Sequence, residues 1–277
     1  MQVAKALIHK AFGSPSEVLE LEERTLGEPG KGEVLLRILA APIHPSDFGV
    51  ILGKYGRLPD LPAVAGREGV AEVTTVGAEV GTVRPGDHVT LPRGTGSWQT
   101  HALVPASGLF KVPEDIPVEM AAMATVNPPT AWRLLRDADL MEGDWVVQNA
   151  ANSAVGLHVI EMARHLGLRT LNVVRREELV EPLKAHGADV VVLEDSGYEK
   201  RVGDWTGGKP VRLALNSVGG ESAMRLLRAL SPGGIHITFG AMAFEAVRFP
   251  TRALIFDGIT LKGFWMDQWY RDQSPPR

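Results

Sequence analysis

The sequence has 277 residues, of which 44% are hydrophobic and 22% charged, with 30 glycines and 19 prolines. This length suits one large or two ordinary domains, and the apolar fraction excludes a disordered chain. The net charge of -4 gives no general reason to attract nucleic acid or an anionic membrane, and no apolar run is long enough to span a bilayer. The absence of cysteine excludes disulfides, thiolate nucleophiles and zinc sites that need sulfur.

The chain to about Pro113 is predicted to form a compact, partly closed β-domain. Its candidate strands are short and are separated by Gly and Pro; they read VAKALIH, EVLELEE, GEVLLRILA, GVAEVTTVG, GDHVTLP and WQTHALV. The N-terminal MQVAKALIHKAFG alternates apolar and polar residues as a strand does, without a hydrophobic signal core or an Arg/Ser-rich leader. We therefore expect a cytoplasmic protein.

From about Glu119 onward, strands and helices alternate. Asn127-Pro128-Pro129 predicts a helix start, with Asn127 as the N-cap and proline in the first turn. Buried apolar strands that alternate with capped helices are typical of a parallel, doubly wound sheet, so the fold class is α/β. We place a first domain at residues 1–117, a second at 118–264 and a short tail at 265–277.

A candidate dinucleotide turn follows the first strand of the second domain. The strand DWVVQNA runs into NSAVG and then into a helix. Relative to the glycine-rich fingerprint, Ala151 and Ser153 replace the first two glycines and Gly156 holds the third place. Small side chains let a pyrophosphate approach the N–H groups at the helix start. The predicted cofactor contacts are Asn152, Ser153, Ala154, Val155 and Gly156. The alternative is an ordinary strand–helix turn with a purely structural role.

Two arginines indicate which cofactor the turn would take. An NAD site usually has an acidic residue at the end of the next strand, whereas this chain has Arg175 and Arg176 there. Guanidinium groups suit a 2′-phosphate, which favours NADPH, although two solvated arginines are the alternative. Gly240 and Met242 follow a later strand and should face the same edge of the sheet.

A set of stretches in colinear order carries a family resemblance: HPSDFGVILGKYGRLPDLPAVAGREGVAEV, ATVNPPTAWRLL, QNAANSAVGLHVIEMARHLGLRTLNVVR, ALNSVGG, GGIHITFGAMA and GITLKGFWMDQW. Together they resemble the zinc-free branch of the medium-chain dehydrogenase/reductase superfamily, in particular NADPH-dependent trans-2-enoyl-CoA/ACP reductases of the mitochondrial type. The resemblance implies a GroES-like β-domain, then a Rossmann-type domain. It also implies reduction of the 2,3 double bond of an enoyl-CoA or enoyl-acyl-carrier-protein thioester.

The resemblance also implies roles for individual residues. Hydride addition at Cβ pushes charge onto the thioester oxygen, which needs a hydrogen-bond donor, and Cα needs a proton. Tyr55 in GKYG matches the catalytic tyrosine of the family, and a phenol can donate at neutral pH. Asn127 and Thr130 match positions near the nicotinamide, and Trp265 matches a position near the substrate.

Two substitutions depart from the family pattern. His44 and Arg67 stand where close relatives usually carry Asn, in segments that border the active site. Arg67 is a candidate contact for a CoA or carrier-protein phosphate, or for an ion pair. Zinc-dependent members use cysteines and a Gly-His-Glu segment, whereas this chain has Gly66-Arg67-Glu68 and no cysteine, so we predict no metal site.

The family continues beyond GFWMDQW with elements that return to the first domain, so we expect a C-terminally shortened chain with exposed apolar surface on that domain. The family also pairs its edge strand across a two-fold axis, which implies a homodimer through Ile259–Phe264. Two alternatives to an enoyl-thioester reductase remain. One is a quinone or enone reductase on the same scaffold, and the other is an inactive paralogue that binds nucleotide.

Overall fold

A computed structural model describes residues 1–195 and 197–273 of the chain. It divides into two compact units, Met1–Val126 and Asn127–Arg277. The first unit is rich in antiparallel strands. The second alternates parallel strands with helices, as the change of sequence pattern predicts.

The first unit, all of which is described, has two sheets. One has the order β2-β1-β4 and the other the order β7-β3-β5-β6-β8. The strands are β1 (Gln2–His9), β2 (Leu19–Leu26), β3 (Glu33–Ala40), β4 (Ala63–Val64), β5 (Val70–Val76), β6 (His88–Thr90), β7 (His101–Pro105) and β8 (Phe110–Lys111). The helices are α1 (Pro15–Val18), α2 (Pro45–Ile51) and α3 (Val118–Ala121).

Alternating apolar residues build the core of the larger sheet. Val34 and Leu36 on β3 pack with Val73 on β5 and Val104 on β7, because side chains two residues apart in a strand share one face. Elsewhere in this unit Ile43, Phe110 and Met120 are largely exposed.

The second unit contains a parallel sheet with the order β11-β10-β9-β12-β13-β14 over its described residues. The strands are β9 (Trp145–Gln148), β10 (Arg169–Val174), β11 (Val190–Leu193), β12 (Val211–Asn216), β13 (Ile235–Thr238) and β14 (Thr260–Gly263). The helices are α4 (Asn127–Arg136), α5 (Ala154–His165), α6 (Val180–Ala185), α7 (Val202–Thr206), α8 (Gly220–Ala229), α9 (Thr251–Ile255) and α10 (Met266–Gln273).

Helices cover both faces of this sheet. Val146 of β9 packs with Leu134 of α4 and Val159 of α5, whereas the next residue, Val147, packs with Leu226 of α8. The prediction of a doubly wound α/β sheet is therefore confirmed. Because the strand order reverses between β9 and β12, the carboxyl ends of these two strands flank the switch point where open α/β sheets bind ligands.

Some local features differ from expectation. Asn127 is the first residue of α4 and not the N-cap before it, since residues 122–126 form the preceding turns. In the segment expected as a tail, Met266–Gln273 forms α10; residues 274–277 lie outside the described residues. Among the described residues, no helix combines the length and the apolarity that a bilayer crossing needs.

Candidate functional site

The candidate dinucleotide turn lies between β9 and α5, as predicted. Ser153 is the N-cap of α5, and its Oγ accepts a hydrogen bond from the Gly156 N–H at 3.2 Å. A Cβ at Gly156 would lie 2.7 Å from the carbonyl carbon of Ala151 and 2.9 Å from its Cα. No side chain fits there, so the helix start lies directly against the turn. This is the close packing of helix against strand that the third glycine of a dinucleotide fingerprint provides.

A buried amide network joins the turn to the neighbouring strand end. Asn149 Nδ2 donates to Asn216 Oδ1 at 2.9 Å and to Ser222 Oγ at 3.0 Å. Asn149 Oδ1 accepts from the Ser217 N–H at 2.9 Å. Both asparagines are buried, with 3% and 0% exposure. The network therefore fixes the ends of β9 and β12 relative to each other at the switch point.

The predicted residues Gly240 and Met242 lie against the turn that follows β12. The Met242 N–H donates to the Ser217 carbonyl at 3.1 Å. A Cβ at Gly240 would lie 2.7 Å from the same oxygen. The structure thus brings these two residues to the edge of the sheet that carries the dinucleotide turn, where Asn216 Oδ1 also accepts the Gly219 N–H at 3.0 Å.

Arg175 and Arg176 follow β10, which lies beside β9 in the sheet. Both side chains are exposed. Arg176 forms an ion pair with Glu178, with Nε 3.3 Å from Oε1. The Ala151 N–H contacts the Val173 carbonyl at 3.4 Å, which connects the turn with the end of β10. Two guanidinium groups are therefore available next to the turn.

The remaining predicted residues of the second unit lie on α4 and just before α10. Asn127 and Thr130 are buried on α4. Asn127 Nδ2 has no hydrogen-bond partner among the described residues. A buried amide without a partner is costly, so this donor is suited to a bound ligand. Trp265 precedes α10, and the Arg271 guanidinium lies 4.8 Å from its ring centroid.

Tyr55 lies in the first unit, just after α2, and is partly exposed. The Arg67 guanidinium lies over its ring, with Cζ 4.5 Å from the ring centroid. On α2, a Cβ at Gly49 would lie 3.1 Å from Tyr55 Cδ2. The structure thus brings Tyr55 and Arg67 together, and the absence of a side chain at Gly49 makes room for the phenol ring.

Buried polar groups lie next to this pair in the first unit. Glu68 follows Arg67, and its Oε1 is 2.7 Å from His44 Nε2. Its other oxygen accepts the Thr125 N–H at 3.0 Å and the Thr125 hydroxyl at 2.7 Å. Asp47 Oδ2 accepts the His44 N–H at 2.6 Å. Burial raises the pKa of the Asp47 carboxyl, and the charges of His44 and Arg67 offset part of this effect.

Sequence reasoning missed several of these groups. Asn149, Asn216 and Glu68 were not among the predicted site residues. The first two could have been found as polar residues that end buried apolar strands. Over the part of the chain that the structure describes, no group of His, Asp and Glu is arranged to hold a metal ion.

Comparison with known proteins supports the same division of the chain. The family models that match are "Alcohol dehydrogenase GroES-like domain" over residues 30–114 and "Zinc-binding dehydrogenase" over residues 154–275. They confirm the predicted GroES-like β-domain and the Rossmann-type sheet that follows it.

Individual relatives match over nearly the whole chain. The Homo sapiens protein named mitochondrial enoyl-[acyl-carrier-protein] reductase is 45% identical, over 98% of this chain and 74% of its own length. A solved Etr1p/NADP/crotonyl-CoA complex is 30% identical with a TM-score of 0.93, over 99% of this chain and 85% of that chain. A structure described as a putative NADPH:quinone reductase from Bacillus thuringiensis is 29% identical with a TM-score of 0.89, over 99% of this chain and 83% of that chain.

The expectation of a cytoplasmic protein is wrong, because similar proteins, the human one included, are named mitochondrial. That expectation depended on the pattern of the first residues. The alternating pattern indicates that the first residues form the strand β1. It carries no information about the cellular compartment.

Proposed function

The chain belongs to the enoyl-[acyl-carrier-protein] reductases of the medium-chain dehydrogenase/reductase superfamily, and from this premise we propose that it reduces trans-2-enoyl thioesters with NADPH. The double bond between C2 and C3 becomes saturated. The observation that carries the proposal is the partly exposed Tyr55 phenol beside Arg67, in a chain whose second unit has a complete dinucleotide turn. We assign proton donation to the first unit and cofactor binding to the second.

The residues of the second unit fit NADPH. Gly156 lets the start of α5 pack against the turn, so that the N–H groups at the helix start can face a pyrophosphate, and Arg175 and Arg176 supply charge for a 2′-phosphate. NADPH, when bound, supplies a hydride to the β-carbon of the substrate. The residues that would hold it are Asn152, Ser153, Ala154, Val155, Gly156, Arg175 and Arg176 on the phosphate side, and Asn127, Thr130, Gly240 and Met242 on the nicotinamide side.

The residues of the first unit would stabilise the charge that forms on the substrate. As the β-carbon becomes saturated, negative charge develops on the thioester oxygen, and the Tyr55 hydroxyl donates a hydrogen bond to it. The α-carbon then takes a proton from the Tyr55 hydroxyl, which regains one from solvent. Arg67 of the first unit would contact the acyl thioester, which is carried by CoA or by an acyl-carrier protein. In the second unit, Trp265 stays a predicted substrate contact.

Turnover of crotonyl-CoA, measured as the loss of NADPH absorbance, tests the proposal. Tyr55→Phe should lower kcat about 10²- to 10⁴-fold, the usual contribution of a positioned proton donor. Tyr270→Phe removes the hydroxyl of a half-buried tyrosine on α10 and should leave kcat within about 2-fold, because Tyr270 has no role in the proposed reaction. A folded protein that binds NADPH but reduces no enoyl thioester would contradict the proposal.

A quinone reductase is the second candidate, because a protein described as an NADPH:quinone reductase shares the fold. The fold alone does not discriminate between these substrates. Reduction of a quinone without reduction of crotonyl-CoA would select this alternative. NADPH binding with no reduction of either substrate would select a nucleotide-binding protein without turnover.

We further infer a homodimer through the sheet edge. β14 is the last strand of the described sheet, and the segment Ile259–Phe264 that contains it includes apolar residues. An unpaired edge strand invites pairing with a second copy. Light scattering coupled to size exclusion should give twice the mass of the chain, and a monomer at working concentration would exclude this dimer.

A further inference from the structure

On the basis of the function proposed above, we propose that Arg67 is a positioning residue for Tyr55: its guanidinium, stacked on the phenol ring, holds the hydroxyl in the orientation that proton donation requires. The proposal differs from the expectation that Arg67 binds a phosphate of CoA or of a carrier protein. It concerns a residue at which this chain departs from the Asn usual in its relatives.

The ring of Tyr55 lies close to α2 as well as to Arg67. Any side chain at Gly49 would meet Tyr55 Cδ2, because a Cβ there would already be 3.1 Å away. The Arg67 Cζ lies 4.5 Å from the ring centroid, within the range in which a guanidinium is attracted by an aromatic ring. The ring therefore lies close to α2 at Gly49 and contacts the Arg67 guanidinium.

Arg67 itself extends from a fixed segment of backbone. Gly66 has a φ of +87°, and any Cβ there would collide with Ser97 and Trp98. The Trp98 N–H donates to the Ala65 carbonyl at 2.9 Å. On the other side, Glu68 is held by its three hydrogen bonds to His44 and Thr125. Both neighbours of Arg67 are thus anchored, so its backbone can act as a fixed support.

Arg67 also interacts electrostatically with a buried carboxyl group, that of Asp47. Its electrostatic effect favours the ionised form of Asp47, against the burial that raises the pKa of that carboxyl. Asp47 in turn accepts the His44 N–H, and His44 contacts Glu68. The guanidinium is therefore part of a charged environment built by α2 and the segment before β5.

Orientation matters here because proton donation to a developing oxyanion depends on short distances. A displacement of about 1 Å can cost about 10²-fold in rate. Tyr55 is in a loop, between Lys54 and Gly56, and Arg67 reaches its ring from a different segment of the first unit. A planar guanidinium stacks on a ring, whereas the ammonium of a lysine keeps the charge but not the planar contact. Lysine at position 67 should therefore preserve part of the effect.

Two substrates separate positioning from phosphate binding. Crotonyl-CoA carries phosphates, whereas the crotonyl thioester of N-acetylcysteamine carries none. If Arg67 positions Tyr55, Arg67→Met should lower kcat about 10- to 100-fold on both thioesters, and Arg67→Lys should restore part of it. Arg57→Met removes an exposed arginine two residues after Tyr55 and is the matched control. A loss confined to KM for crotonyl-CoA would overturn the proposal.

A double-mutant cycle tests whether Arg67 acts through Tyr55. In the Tyr55→Phe background the hydroxyl is already absent, so Arg67→Met should lower kcat by less than about 2-fold. The same fold-loss in both backgrounds would contradict the proposal. Turnover of both thioesters by the unsubstituted protein is measured first, so failure of the proposed function is recognised separately.

A spectroscopic readout that needs no turnover completes the test. The chain has three tyrosines, so incorporation of 3-fluorotyrosine gives three ¹⁹F signals, and Tyr55→Phe identifies one of them. Arg67→Met should shift or broaden the Tyr55 signal alone, and Arg67→Lys should partly reverse the change. An unchanged Tyr55 signal, or equal changes in all three signals, would overturn the proposal.

Discussion

His44 and Glu68 form a buried pair in the first unit, with Nε2 2.7 Å from Oε1 and side-chain exposures of 13% and 2%. An ionised carboxylate can only accept, so the imidazole donates. Because His44→Ala leaves one oxygen of Glu68 buried without this donor, we expect it to lower the free energy of unfolding by about 1–3 kcal/mol. Urea unfolding of the variant measures the loss.

His44→Asn restores a short polar side chain and should recover part of that stability. His101→Ala removes a half-buried histidine of the same unit, at the start of β7, and is the control. Equal stability of His44→Ala and of the unsubstituted protein would show that the Thr125 bonds alone satisfy Glu68.

Gly156→Ala should weaken cofactor binding. The new Cβ would collide with the backbone of Ala151, so the start of α5 must move away from the turn. We expect NADPH to bind at least about 10-fold more weakly, since a shift of backbone N–H groups removes their contacts with phosphate. Titration of NADPH fluorescence measures the change. Gly203→Ala, where a Cβ has open space, should bind as the unsubstituted protein does.

Arg175→Ala should change the choice between NADPH and NADH. A hydrogen bond between charged groups contributes about 1.5–3 kcal/mol, so KM for NADPH should rise roughly 10- to 100-fold. KM for NADH should stay unchanged, because NADH has no 2′-phosphate. Arg201→Ala, which removes an arginine paired with Asp195, is the control. Equal changes in KM for both cofactors would contradict the assignment of Arg175 to the 2′-phosphate site.

Asn149→Ala should destabilise the second unit and also weaken NADPH binding. The variant leaves the Ser217 N–H without its buried acceptor, at a cost of about 1–3 kcal/mol, and removes one of the three hydrogen bonds that Asn216 Oδ1 accepts. Ser231→Ala is the control, because Ser231 Oγ accepts the Val211 N–H at 3.0 Å at the opposite end of β12. We expect both variants to lose stability in urea, but only Asn149→Ala to lose affinity for NADPH.

His236 makes stability depend on pH in the second unit. Burial lowers its pKa from 6.5 to about 4, with Nε2 3.2 Å from the Ala223 carbonyl. Between these two pKa values the unfolded chain binds a proton that the folded chain does not. Stability is therefore lost as the pH falls from 6.5 towards 4, by about 2 kcal/mol between pH 7.5 and pH 5.

The comparison with His236→Gln isolates this contribution. Asp47 acts in the opposite direction, because its raised pKa adds stability at low pH that is lost as the pH rises. We compare urea unfolding of the unsubstituted protein and of His236→Gln at pH 7.5 and pH 5. Because Asp47 is present in both proteins, its contribution cancels in the difference. A pH dependence that is the same in both proteins would contradict the assignment to His236.

The parts of the structure with local causes could be predicted from the sequence. The turn before α5 was found because Gly156 and the small residues before it meet a steric need within eight positions. The alternation of apolar strands and capped helices likewise indicated the doubly wound sheet. The start of α4 was missed by one residue, since Asn127 is a good N-cap but also enters the helix here.

The contacts between distant residues could not be predicted. Glu68 meets His44 across 24 positions and Thr125 across 57, and only the closed sheets of the first unit bring them together. The stacking of Arg67 on Tyr55 has the same origin. Sequence reasoning therefore found the residue types of the candidate site but not the partners that hold them.

The position of β9 in the sheet also has a consequence for the order of folding. β9 pairs with β10, the next strand along the chain, and with β12, whose Asn216 lies 67 positions after Asn149. The chain between β9 and β12 is longer than the chain between β9 and β10. Its ends therefore meet more slowly, because more chain entropy is lost before the contact forms. The switch point is thus completed only when β12 docks. In stopped-flow refolding, capture of NADPH should lag behind the recovery of helical circular dichroism.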